Sequence, residues 1–337
     1  MSTLRRITPA LILLILSPLI AEFLLGDFNI RQLGYLAIFI PLYGASALFI
    51  REITRRMKRG WPTMLLLALV YAFVAEGFVN QTLFNQNYAG QHLLAYGFIP
   101  FLGTSLNYTI YILSLHVIWS ISTPIALAEG IAGSRSKEPW LRNWELVFVG
   151  VLSLLGLAGT TASTIERFHF VASIAQYISV SVAILILIFL AFKIFRASND
   201  TETDIKNDEQ LISKAPSIWI IFIVSFILTT AFQVWFHYAP GHKLNALLGV
   251  IVFLALDILA LMLFINWSRR VDWKTQHIVA AATGAVATYG WFGLRRLLVS
   301  GHTALGVPTT TIDLVGQVML LLAILGMSYL ALRRLRN

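Results

Sequence analysis

Residues 108–127 read YTIYILSLHVIWSISTPIAL, a run with no Lys, Arg, Asp or Glu and a single histidine, His116. At about 1.5 Å per residue, a helix of this length covers roughly 30 Å, the thickness of bilayer hydrocarbon. The apolar residues are continuous rather than alternating, which argues against a barrel strand, and a chain inside lipid must otherwise be helical to satisfy its own backbone. Further runs of the same kind lie at 7–25, 33–50, 62–79, 144–162, 171–192, 217–236, 246–267, 277–294 and 312–332. The fold expected from them is all-α, a polytopic transmembrane helical bundle of about ten helices. The first run sits behind Arg5 and Arg6, but it contains Glu22 and no small-x-small cleavage pattern, so it reads as a retained helix and not a signal peptide.

Composition supports the same class. Of 337 residues, 58% are hydrophobic and 12% charged, where a soluble domain carries roughly a quarter charged. A surface in water cannot be covered with so few polar groups, so the bilayer is the expected partner and solvent. The net charge of +9 does not indicate nucleic acid, because the basic residues form short clusters between apolar runs and not one face or tail. Placing the N-terminus inside puts 20 of the 25 basic residues in cytoplasmic segments and leaves Arg31, Arg167, Lys243, Arg295 and Arg296 outside. The positive-inside rule therefore predicts cytoplasmic N and C termini and a multi-pass protein of the cell (plasma or inner) membrane. The chain has no cysteine, which excludes thiolate nucleophiles, disulfides and zinc–thiolate sites. No cofactor or metal is called for: His92, His169, His237, His242, His277 and His302 are scattered mainly at helix ends, and phosphate-loop, His-Glu-x-x-His and Gly-x-Ser-x-Gly patterns are absent.

Two connections are long. Residues 197–217 are polar and acidic and divide a six-helix region (1–196) from a four-helix region (218–337). Residues 80–107 carry no charge but contain Phe84, Tyr88, Leu93, Leu94, Tyr96, Phe98, Ile99, Pro100 and Phe101. So apolar a loop is expected to pack on the mouth of the bundle or dip into it, as a lid. No convincing internal repeat links the two regions.

Ionisable groups inside hydrocarbon cost at least ~2.5 kcal/mol near its centre and need a reason to be there. Glu22 in the first helix and Glu76 in the third fall in the outer third of the membrane, and His116 lies roughly 12 Å below the outer end of the fourth. Glu76 and Asn80 share a helix face, and His116, Ser120 and Thr123 form a stripe at i, i+4 and i+7. Gly77 permits close approach of a helix or ligand, and Pro124 frees a backbone carbonyl beside the stripe. These residues predict one outward-facing polar cavity between helices one, three and four, with Glu76, His116 and Glu22 as candidate catalytic groups and Asn80, Ser120 and Thr123 as candidate binding groups. Asp257, mid-way along the eighth helix, is a secondary binding candidate. Against this stands a blander account, in which each acid snorkels to water or satisfies an interhelical hydrogen bond. Near the inner surface, Arg51, with Glu52 beside it, and Glu129 at the end of the fourth helix are expected to form a structural pair.

Ser17-Pro18 with Glu22, Tyr43-Gly44 leading to Arg51-Glu52, Gly60-Trp61, Tyr71 leading to Glu76-Gly77, and His116 leading to Ser120-Ile121, Pro124-Ile125 and Glu129 together resemble an uncharacterised group of bacterial polytopic membrane proteins. The resemblance spans about the first 130 residues and implies no activity. More distantly, a membrane Glu with later histidines is similar to the intramembrane CAAX-protease and bacteriocin-processing family, which implies glutamate-dependent proteolysis. Here Ala75-Glu76 stands in place of that family's paired glutamates, and His169 to Ser173 in place of its late His-x-x-x-Asn. A carboxylate beside an imidazole suits three tasks: hydrolysis of a lipid or membrane peptide, proton-coupled transport of a small solute, or headgroup binding. The expected function is thus a membrane-embedded hydrolase, with a proton-coupled transporter or permease as the alternative and an assembly factor without turnover as the third.

Overall fold

A computed structural model describes residues 3–193 and 213–336; most of the polar linker expected at 197–217 lies outside them. The described residues form ten long helices: α1 Arg6–Leu24, α2 Ile30–Arg56, α3 Trp61–Val79, α4 Leu106–Arg135, α5 Asn143–Phe168, α6 Ile174–Lys193, α7 Ile218–Tyr238, α8 Ala246–Ser268, α9 Thr275–Ser300 and α10 Thr311–Arg336. All except α9 are long and apolar enough to cross a membrane. The only sheet among the described residues is a two-stranded hairpin, β1 Phe98–Ile99 and β2 Thr104–Ser105.

The exception explains the packing. A helix facing lipid must be apolar all round, whereas one enclosed by protein need not be. α9 carries small and polar residues on most of its surface, including Thr288, Ala282, Ala285 and Gly284, and these are buried against α1, α4, α7 and α10. A Cβ on Gly284 would stand 2.6 Å from the Phe222 carbonyl oxygen of α7, so a small residue there sets the helix–helix distance. The Trp119 indole of α4 donates to the Ala285 carbonyl of α9 at 2.8 Å and stacks on Tyr289 at 4.1 Å. The helix with the weakest hydropathy is therefore the hub. At the other extreme, the central windows of α6 and α8 are only 11% buried, against 67% for α4, and their exposed Leu, Ile and Phe side chains form the lipid-facing rim.

Contacts between helix ends sort the loops into two sets. At one end Arg6 pairs with Glu145 at 2.6 Å, Arg59 caps the Phe192 carbonyl at the close of α6, Arg334 caps Ile131 near the end of α4, and Asp272 accepts from the Ala215 amide. At the other, Asp27 pairs with Arg296, Arg31 with Asp313 at 2.8 Å, and Asn107 bonds the Ala246 carbonyl. Each successive helix thus runs opposite to the last. The first set is the basic end that the charge asymmetry assigns to the cytoplasm, and both ends of the chain lie there.

Candidate functional site

Prolines determine how the outer halves of three helices are wound. Proline has no N–H to give to the carbonyl four residues back, and the disturbed turn commonly widens into a π turn. In α1 the regular helix ends at Pro18 and Leu19–Leu24 is π-helical; in α2 Pro41 lies within the π turn Ile40–Gly44; in α4 the π turn His116–Ser122 runs into Pro124. A fourth π turn, Val74–Val79, closes α3 around Gly77. Each of these turns carries one member of a single cluster: Glu22, Tyr43, Glu76 and His116. The carbonyl of Ser120, which Pro124 cannot bond, accepts instead from the Ser17 hydroxyl of α1 at 2.7 Å. Gly44 lies against the Leu14 carbonyl of α1 so closely that no Cβ would fit, which brings the Tyr43 turn onto α1.

The centre of the cluster is a carboxylate–imidazole pair. His116 Nε2 lies 2.7 Å from Glu76 Oε1, and Asn80 Nδ2 donates to the same oxygen at 2.9 Å. The Thr82 hydroxyl donates to Oε2. His116 Nδ1 lies 3.0 Å from Ser120 Oγ. With Glu76 accepting at Nε2, Nδ1 accepts from Ser120 when the ring is neutral and donates to it when the ring is charged. Tyr43 stacks on the imidazole with centroids 6.0 Å apart, Tyr71 meets it edge-on at 5.9 Å, and the Tyr43 hydroxyl donates to Glu22 Oε1 at 2.5 Å. Glu22 therefore joins the pair through Tyr43 and not directly. Three donors on one buried carboxylate offset the desolvation that would otherwise favour its neutral form.

The site is closed. Glu76 is 2% exposed, His116 4% and Ser120 0%, so the expected outward-facing cavity is corrected to a buried cluster. The reason is the uncharged outer loop, whose Thr82, Leu83, Phe84 and Leu94 are buried over the helix ends. Gln81 fixes the start of this loop, accepting from the Ala172 amide at 2.7 Å and the Tyr177 hydroxyl at 3.0 Å. Gly77 approaches no ligand; a Cβ there would meet Val180 of α6.

Other candidates lie apart. Asp257 accepts from the Ser114 hydroxyl at 2.8 Å, on a different face of α4 from His116, and no hydrogen bond among the described residues links it to Glu76. Thr123 is buried but joins none of these bonds. At the inner end, Arg51 Nε lies 3.1 Å from Glu129 Oε1 and its Nη1 2.5 Å from Glu52, while Nη2 donates to the Ser136 carbonyl at 2.6 Å and the guanidinium stacks 3.4 Å from the Trp140 ring. Arg55 adds a second cation on Glu129 at 2.6 Å, and Glu52 accepts from the amides of Trp140 and Leu141 at 2.9 and 3.1 Å.

Sequence reasoning missed Tyr43 and Tyr71 as site members, Thr82 as a ligand of Glu76, and Arg55 and Trp140 in the inner network. The available signal for Tyr43 was Pro41 with Gly44, which marks a distorted turn; Thr82 left none. Among the described residues no three His, Asp or Glu side chains converge as a metal set. No curated protein and no solved structure matches the chain. A family model described as an uncharacterized membrane protein family matches residues 11–336, well beyond the first 130 or so, and the chain, with its ten-helix fold and buried Glu–His cluster, belongs to that family.

Proposed function

We propose that this integral membrane protein is a membrane-embedded hydrolase acting on a lipid or membrane peptide at Glu76 and His116. One observation carries this function: a glutamate and a histidine from different helices share a 2.7 Å hydrogen bond inside a cluster whose remaining acceptor positions on Glu76 are occupied by the outer loop. When Thr82 leaves Oε2, a water can take its place. Glu76 then removes a proton from that water as its oxygen attacks the substrate carbonyl, and passes the proton to His116, which returns it to the leaving group as the ester or amide bond breaks. Tyr71 and Tyr43 hold the imidazole plane, and Ser120 fixes the orientation of its other nitrogen.

A second observation favours a proton-coupled transporter. Glu22 and Tyr43 form another acid–hydroxyl unit stacked on His116, and four π turns at one level supply places where helices can shift. The discriminating experiment compares lipids, membrane peptides and exported solutes in cells carrying the native protein or Glu76→Gln at matched expression. Accumulation of an intact membrane substrate in the variant supports the hydrolase; an unaltered solute redistributed across the membrane overturns it in favour of transport; no difference assigns the cluster to structure.

A further inference from the structure

The most exposed apolar side chain of the outer loop belongs to neither the cluster nor the core. Residues 99–103 read Ile-Pro-Phe-Leu-Gly and turn the chain between β1 and β2; Phe101 is 95% exposed and Leu102 44%. The turn is built and not loose: Phe98 pairs with Ser105 and Ile99 with Thr104, and the amides of Leu102 and Gly103 both bond the Ile99 carbonyl, at 3.1 and 2.9 Å. The same backbone therefore presents Phe101 outward in a fixed pose. A large aromatic held there would be costly in water.

The depth of this turn follows from its anchors. Tyr96 donates to the Asn245 carbonyl and Asn107 to the Ala246 carbonyl, at the first turn of α8. Gly103 lies against the Gln176 side chain in the first turn of α6. These two helices are the lipid-facing ones, and beside the turn Val171 and Ile174 are 61% and 79% exposed. The turn thus stands where lipid-facing helices enter the membrane, the level at which aromatic rings collect. No charged residue from 80 to 107 would oppose immersion.

We propose that residues 99–103 are immersed in the outer leaflet at the boundary of headgroups and acyl chains, and that bilayer lipid is the partner of this turn. The inference does not depend on what Glu76 does. The native chain has no cysteine, so Phe101→Cys gives a single labelling position, and Leu102→Cys a second should the first disturb folding. Each full-length variant is labelled with an environment-sensitive fluorophore and reconstituted in phosphatidylcholine vesicles, with Lys137→Cys at the exposed inner loop as the aqueous reference. The expected result is blue-shifted emission, quenching by lipid carrying a nitroxide near the headgroup, and iodide quenching several-fold weaker than at Lys137→Cys. Iodide quenching equal to the reference without lipid quenching would overturn the proposal; shielding from both quenchers would do so too, by assigning the turn to a protein contact.

Discussion

α2 and α4 contribute to two buried polar layers each, with Tyr43 and His116 near the outer end and Arg51 and Glu129 near the inner end. The inner layer is made of full charges. Arg51, Glu52 and Glu129 are at most 1% exposed, two arginines share one glutamate, and backbone amides and carbonyls complete their bonds, so α2, α4 and the 136–142 connection are tied together with little freedom. The outer layer holds a single close carboxylate–imidazole contact amid hydroxyls, an amide and aromatic rings, and it rests on π turns and a loop instead of regular helix. Charge in the inner layer fixes geometry; in the outer layer the charge state itself can change. Chemistry is expected where a proton can move, and rigidity where it cannot.

That contrast can be broken experimentally. Arg51→Ala leaves two buried glutamates short of a partner and should lower stability by about 3–5 kcal/mol, read by thermal unfolding in detergent; a loss below that of any outer-layer variant would reverse the roles assigned to the layers. Glu76→Gln keeps the side chain's shape, so it should cost turnover a factor of about 10²–10⁴ while destabilising the fold by only about 1–2 kcal/mol. Retained turnover in a folded variant would remove Glu76 from the chemistry. Gly44→Ala drives a methyl into the Leu14 carbonyl and should cost about 1–3 kcal/mol, and by moving the Tyr43 turn it should also weaken the cluster. Ser17→Ala strips the donor from the Ser120 carbonyl for about 1 kcal/mol, a test of whether the proline-freed group needs its partner. The smallest effect belongs to the inner surface: the Ala215 amide, bonded to Asp272, holds that carboxyl below its ordinary value of 3.8. A depressed acid contributes stability above its unfolded pKa and loses it as pH falls through the lower folded value, so Asp272→Asn should flatten the acid limb of the melting curve and leave neutral pH unchanged.

The fold was legible because apolar runs of membrane length admit few solutions, and the parity of those runs agrees with the two sets of loop contacts. What hydropathy could not show was the order of packing. The residues that make α9 the hub are Gly, Ala and Thr, whose meaning lies in how closely a neighbour approaches, and that distance is not written along the chain. For the cluster, Glu76, His116 and Glu22 stood out because charge in hydrocarbon is rare. Tyr43 did not, since tyrosine is ordinary in a membrane helix and only the π turn aims it at Glu22. The closed mouth was half legible: an uncharged loop announces that it will bury itself, but not that Thr82 will end on the carboxylate.

The π turns have a consequence for how this chain can vary. Such a turn holds one residue more than the α turn it replaces, and one residue is worth about 100° of rotation. In α4 the extra residue falls between His116 and Glu129, so the two ends of one helix are clocked differently, one toward Glu76 and the other toward Arg51. Exchanging one apolar residue for another in this stretch leaves the clocking alone, whereas deleting a single residue, Ile118 for example, would turn everything beyond it and swing Glu129 off its arginines. In genetic terms these four helices should accept substitutions and reject single-codon deletions, a bias that a deletion scan would reveal without knowledge of the substrate.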